Sequence, residues 1–175
     1  MNIKVFRYLA MGLAAAAMLF AGAITPTPAE AGGLKAQVFL VQAKVPKNTS
    51  ERGLLAFAKR NRARLLRETT DKELDDRKWK GHLVIQFNRP VGDLEFQVLF
   101  YDVHDGPRRF VQDMSTFVND RKQKTFVQPV SLPRKHFKPN RNMELVVTVR
   151  RQEVARMKFG LVGEEKKRSG VVNFD

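Results

Sequence analysis

From Leu34 onward, apolar and polar residues alternate over short runs, the period-two signature of strands with one buried face. Four such runs come first: "LKAQVFLVQAKV" (34–45), "HLVIQFN" (82–88), "LEFQVLFYDV" (94–103) and "RFVQDMSTFV" (109–118). Four more follow: "KTFVQPVSL" (124–132), "MELVVTVR" (143–150), "EVARMKFGLV" (153–162) and "SGVVNF" (169–174). Turn formers separate them, among them Pro90 with Gly92, Gly106-Pro107, Asn119-Asp120, the stretch 133–142 and Gly163. Strands this short and this evenly spaced predict a mainly β domain, an antiparallel β-sandwich of about eight strands.

The alternation breaks between 49 and 80, and a helical period replaces it. Thr49 or Ser50 can cap a helix N-terminus, and Glu51 falls in the first turn, where the helix dipole favours negative charge. Leu54, Phe57, Ala58 and Leu65 recur at helical spacing with Leu55 and Leu66 beside them, while Arg52, Lys59, Arg60, Arg64 and Arg67 take the opposite face. The insertion therefore reads as one amphipathic, basic helix after the first strand. The acid- and base-rich "TTDKELDDRKWKG" follows it as a short second piece ending at Gly81. In the strand 94–103, Leu94, Phe96, Val98 and Phe100 point one way and Leu99, Tyr101 and Val103 the other, so both faces want cover. The inserted helix is the expected source of the second cover.

This strand pattern resembles the immunoglobulin- and fibronectin-III-like sandwiches of exported proteins. The resemblance is one of architecture; it shares no signature motif and carries no functional residue across.

Residues 1–31 have the organisation of a cleavable signal peptide. Lys4 and Arg7 form a positive start, Leu9 to Ile24 is an uncharged apolar stretch too short for a span, and Ala29-Glu30-Ala31 supplies small residues at a cleavage site. The expectation is a protein exported to the periplasm or the exterior, with residues 32–175 as a single sandwich domain, the helical insertion at 49–80, and no transmembrane segment after cleavage. The chain has no cysteine, so neither a disulfide framework nor a lipid-attachment cysteine is available. Removing Lys4, Arg7 and Glu30 would leave 30 basic and 17 acidic residues, a net charge of +13. That exceeds what solubility needs and favours anionic partners.

Candidate chemistry is sparse. "YDVHDGPRR" (101–109) places Asp102, His104 and Asp105 together, and Asp102 and His104 share a side of an extended strand. A metal site wants three or four ligands, whereas Asp105-Gly106-Pro107 is sufficiently explained as a turn. No phosphate-binding glycine loop, nucleophile elbow or zinc-binding helix motif occurs, and nothing calls for a cofactor. With only Trp79 and Tyr101 beyond the leader to add to its phenylalanines, the chain has little for stacking on nucleic-acid bases, and no specific nucleic-acid partner is expected.

What remains is basic surface: Arg60, Arg64 and Arg67 on the helix, and Arg134, Lys135, Lys138 and Arg141 in the loop "PRKHFKPNR". Phe137 in that loop either joins the charges in contacting a ligand or plugs the core beneath them. The sequence thus predicts a non-catalytic binding or structural protein of the cell envelope that meets an anionic polysaccharide, lipopolysaccharide or envelope protein through these cations. Two alternatives stand beside it: a subunit that docks on a neighbour through the apolar stripe Leu54, Phe57 and Leu65, and a hydrolase or metal-dependent enzyme with its site near Asp102 and His104.

Overall fold

The computed structural model describes residues 33–166. The signal segment 1–31, the strand expected at 169–174 and the basic residues Lys167 and Arg168 lie outside the described residues.

Among the described residues, eight strands form two facing sheets. One contains β1 (Ala36–Val41), β3 (Lys78–Phe87) and β6 (Thr125–Pro133) in the order β1-β3-β6. The other contains β2 (Leu65–Arg67), β4 (Glu95–Asp102), β5 (Arg109–Phe117), β7 (Asn142–Val149) and β8 (Gln152–Val162), in the order β2-β8-β7-β4-β5. Every pairing is antiparallel except β2 with β8, which is parallel. Seven of the described strands fall where the alternation places them, and the fold is the expected β-sandwich.

The inner faces supply the core. Trp79, Leu83, Ile85 and Phe87 of β3 are buried with Phe96, Val98 and Phe100 of β4 and Leu145 and Val147 of β7. Phe87, Phe96 and Phe126 meet edge to face, with ring centroids 5.0 to 5.8 Å apart. Such pairs add to the transfer free energy of the rings themselves. β4 has neighbours on both sides, β5 and β7.

The insertion departs from the sequence reading in two ways. First, the helix α1 runs only from Glu51 to Arg60. The Ser50 side chain caps its start by accepting from the Gly53 N–H (3.2 Å). Asn61 closes its end, donating to the Phe57 carbonyl from both backbone N–H and side-chain Nδ2 (2.9 Å each). The chain then turns to strand: Ala63 N–H donates to Leu40 O (2.7 Å), and β2 aligns Leu66 with Leu161. Leu65 and Leu66 thus alternate, one exposed and one fully buried, instead of extending a helical stripe. A short 3₁₀ turn at Leu74–Asp76 is the second piece.

Second, α1 does not cover β4. It lies on the outer face of the three-stranded sheet, where Leu54, Leu55 and Phe57 pack with Ala58 over Phe39, Val41 and Val84. The physical reason is in β1: the consecutive run Val38 to Val41 is buried on both faces, and it needs a cover more than β4 does. On the outer face of β4, Tyr101 is shielded by Phe110 (5.9 Å, edge to face) and by the Arg108 guanidinium 5.6 Å from its ring centroid.

Since α1 is held by its apolar side, the docking stripe expected at Leu54 and Phe57 is already occupied by this chain's own sheet; of the three residues, Leu65 alone is exposed. Leu54→Asp should therefore cost about 2 kcal/mol in a thermal or urea melt followed by circular dichroism. A melt identical to the parent protein's would return the stripe to the role of a free docking surface.

Candidate functional site

The corner 101–109 is built as a turn. Asp102 ends β4 with its carboxylate buried; Oδ1 accepts the His104 N–H (2.9 Å) and Oδ2 accepts from Arg109 (3.0 Å). Gly106, at φ +118, makes the bend that a side chain would resist. The His104 Nδ1 accepts the Asn142 N–H (3.3 Å), and Asp105 pairs with Arg141, whose hydrogen bond holds the Asp105 carboxyl below the usual carboxylate range. A hydrolytic site using His104 with Asp102 needs a concave pocket that holds His104 and a third titratable group. Asp102 does line a cavity, but His104 is not among the residues around it. Among the described residues, no three His, Asp or Glu are arranged to hold a metal ion.

The loop 133–141 divides into two parts. Arg134 is not a surface cation: its side chain is 9% exposed and pairs with Glu68, which is 4% exposed. It hydrogen-bonds both Glu68 carboxylate oxygens and also donates to Glu164 O, while its guanidinium lies 5.8 Å from the centroid of the Trp79 ring. Trp79 Nε1 donates to Val162 O (2.9 Å), and Glu68 N–H shares that acceptor (3.0 Å). Gly163 completes the cluster, because a Cβ there would stand 2.7 Å from Glu68 Oε2 and 3.0 Å from the Trp79 ring. The Arg134 hydrogen bond lowers the Glu68 pKa against the opposing effect of burial. Arg141 is likewise engaged, with Asp105. Lys135 and Lys138 remain exposed and unpaired among the described residues, and Phe137 between them is 1% exposed, edge to face with Phe100 at 6.0 Å. The core-plug reading of Phe137 is the one the structure adopts.

Arg60, Arg64 and Arg67 are all exposed. They belong to a longer run than the sequence reading assigned to the site: Lys44, Lys47, Arg52, Lys59 and Arg62 are exposed too. None of these eight cations makes an ion pair among the described residues, although nine Lys or Arg ion pairs join charges elsewhere in the domain. The signal was available in the sequence, because Glu51 is the single acid between Lys44 and Arg67. Of the other basic turns, the one at 121–124 lies beside the start of α1, where Lys122 and Lys124 line cavities with Glu51 and Leu54 or Arg52, while others are held by acids elsewhere. Arg108 is held by Glu144, Arg109 by Asp102 and Arg150 by Asp93.

The chain is similar in structure to an immunoglobulin-like protein of Pseudomonas aeruginosa solved by crystallography, with 15% identity and a TM-score of 0.38 over 74% of this chain and 92% of that one. No protein-family model matches the chain. No curated protein matches it.

Proposed function

We propose that this is an exported, non-catalytic β-sandwich whose α1–β2 segment binds an anionic component of the cell envelope, lipopolysaccharide or an acidic polysaccharide. The observation that carries the reading is the eight exposed cations from Lys44 to Arg67 with no ion-pair partner among the described residues. Exposed charges left unneutralised raise the local potential and concentrate polyanions without a shaped pocket. The apolar side of α1 is held by the sheet beneath, so the segment offers charge and hydrogen-bond donors rather than a greasy face. The leader-like residues 1–31 support export, and the sequence supports no catalytic constellation.

Retention on immobilised lipopolysaccharide or on an acidic polysaccharide across a salt series tests the reading. Binding should weaken steadily as salt rises, since exposed pairs are screened within about 10 Å at 0.1 M. At roughly 0.5 kcal/mol for each exposed pairing, the triple variant Arg60→Gln, Arg64→Gln, Arg67→Gln should bind about tenfold more weakly at low ionic strength. Retention that ignores salt, or that the triple variant keeps in full, would remove the α1–β2 segment as the binding surface.

A further inference from the structure

Between the start of β5 and the loop 133–141 lies a small cavity of about 300 Å³. We propose that it binds one anionic sugar residue, a pyranose ring bearing a carboxylate or a phosphate. Phe110, 54% exposed, and half-buried Val111 line it and present its accessible apolar surface, with Phe137 and Met143, each 1% exposed, packed behind it. Together they make an apolar surface suited to the C–H face of a sugar ring. Lys135, His136 and Lys138 stand around it, all exposed.

Charge decides what kind of ring. The cavity has a single acid, Asp102, and both of its oxygens are already bound, one by the His104 N–H and the other by Arg109. Arg109 and Asp102 cancel, which leaves Lys135 and Lys138 as two uncompensated positive charges beside an apolar floor. A neutral sugar would leave those charges unanswered, and a bare inorganic anion would leave the floor uncovered. A volume at the small end of ligand pockets fits one such residue rather than an acyl chain or a peptide helix.

The lysines are also held ready. His136 and Phe137 both donate backbone N–H to Pro133 O (3.1 and 3.0 Å), Pro139 stiffens the exit, and buried Phe137 anchors the bend between them. Little ordering of the loop is then needed on binding. None of the α1–β2 cations lines this cavity, so the inference does not rest on the polyanion surface above and fails or stands separately from it.

Titration of the isotope-labelled protein with glucuronic acid, glucose 6-phosphate, glucose and inorganic phosphate, followed by amide shifts, tests the inference. Both acidic sugars should bind one per chain and shift residues 109–111 and 135–138, with glucose and inorganic phosphate at least about tenfold weaker. Lys135→Gln with Lys138→Gln should weaken acidic-sugar binding by roughly tenfold or more without changing the melting temperature. The triple variant at Arg60, Arg64 and Arg67 should bind the acidic sugars as the parent does. An acidic hexasaccharide binding more tightly than its monomer would place the recognised residue within a chain, and equal binding would point to the free sugar. Glucose or inorganic phosphate binding as well as the acidic sugars, shifts centred on α1, or a lysine pair whose removal changes nothing would each overturn the inference.

Discussion

Glu68→Ala is expected to lower the unfolding free energy by roughly 3–5 kcal/mol, the scale for removing one partner of a buried ion pair. The loss arises less from the missing attraction than from what stays behind: an Arg134 guanidinium, 9% exposed, left with the Glu164 carbonyl and the Trp79 ring in place of a carboxylate. Arg134→Ala should cost a similar amount by stranding Glu68. Replacing both, Glu68→Leu with Arg134→Met, should be much milder than the two single losses combined, because no unpaired charge remains buried. Urea denaturation of the four proteins at pH 7 gives the comparison. Single variants within about 0.5 kcal/mol of the parent would mean that water reaches and screens the pair.

The same pair predicts an acid response. The folded state holds the Glu68 pKa below its unfolded value of about 4.3, so its contribution is complete above that pH and is lost as pH falls through the lower, folded value. The parent should therefore lose more stability than Glu68→Gln between neutral pH and pH values below about 4. Asp93 and Asp105 are also lowered, by Arg150 and Arg141, and both remain in each protein, so the comparison isolates Glu68.

The sheets were legible in the sequence because a period of two is fixed by the pleat, and each strand with one wet face reports it locally. That alternation puts Phe96, Val98 and Phe100 on the inner face, where Val98 lies opposite Val147 and Phe100 opposite Leu145. The insertion was harder to read. Leu65 and Leu66 fit the helical stripe begun at Leu54, and only long-range pairing, of Ala63 with Leu40 and of β2 with β8, makes them strand. Helical spacing is a local signal, and it cannot show that a neighbouring strand edge will take the chain instead.

The charges divide in the same way. Arg60, Arg64 and Arg67 make no ion pair among the described residues, and Glu51 is the single acid between Lys44 and Arg67, so a one-dimensional reading finds them. Arg134 is 66 residues from the carboxylate that neutralises it, and nothing around "PRKHFKPNR" announces that pairing. Trp79 and Gly163 carry the clearer hint: a lone Trp opening a strand and a glycine just past β8 meet at the site where the pair is buried.

Phe137→Ala is expected to destabilise the domain by about 3–5 kcal/mol, as for a fully buried aromatic. Its ring stands edge to face against Phe100, which does the same with Phe159 at 6.4 Å, so the truncation opens a void beneath β4 and removes one partner from a chain of three rings. It also cuts the anchor that fixes Lys135 and Lys138 at the cavity. The two consequences can be separated with Phe137→Leu, which refills most of the volume and should cost under about 1.5 kcal/mol while keeping the bend. An exposed ring that served only to touch a ligand could be removed with no change in the unfolding midpoint. A parent-like urea midpoint for Phe137→Ala would therefore exclude the buried position and, with it, the anchor that fixes Lys135 and Lys138 at the cavity.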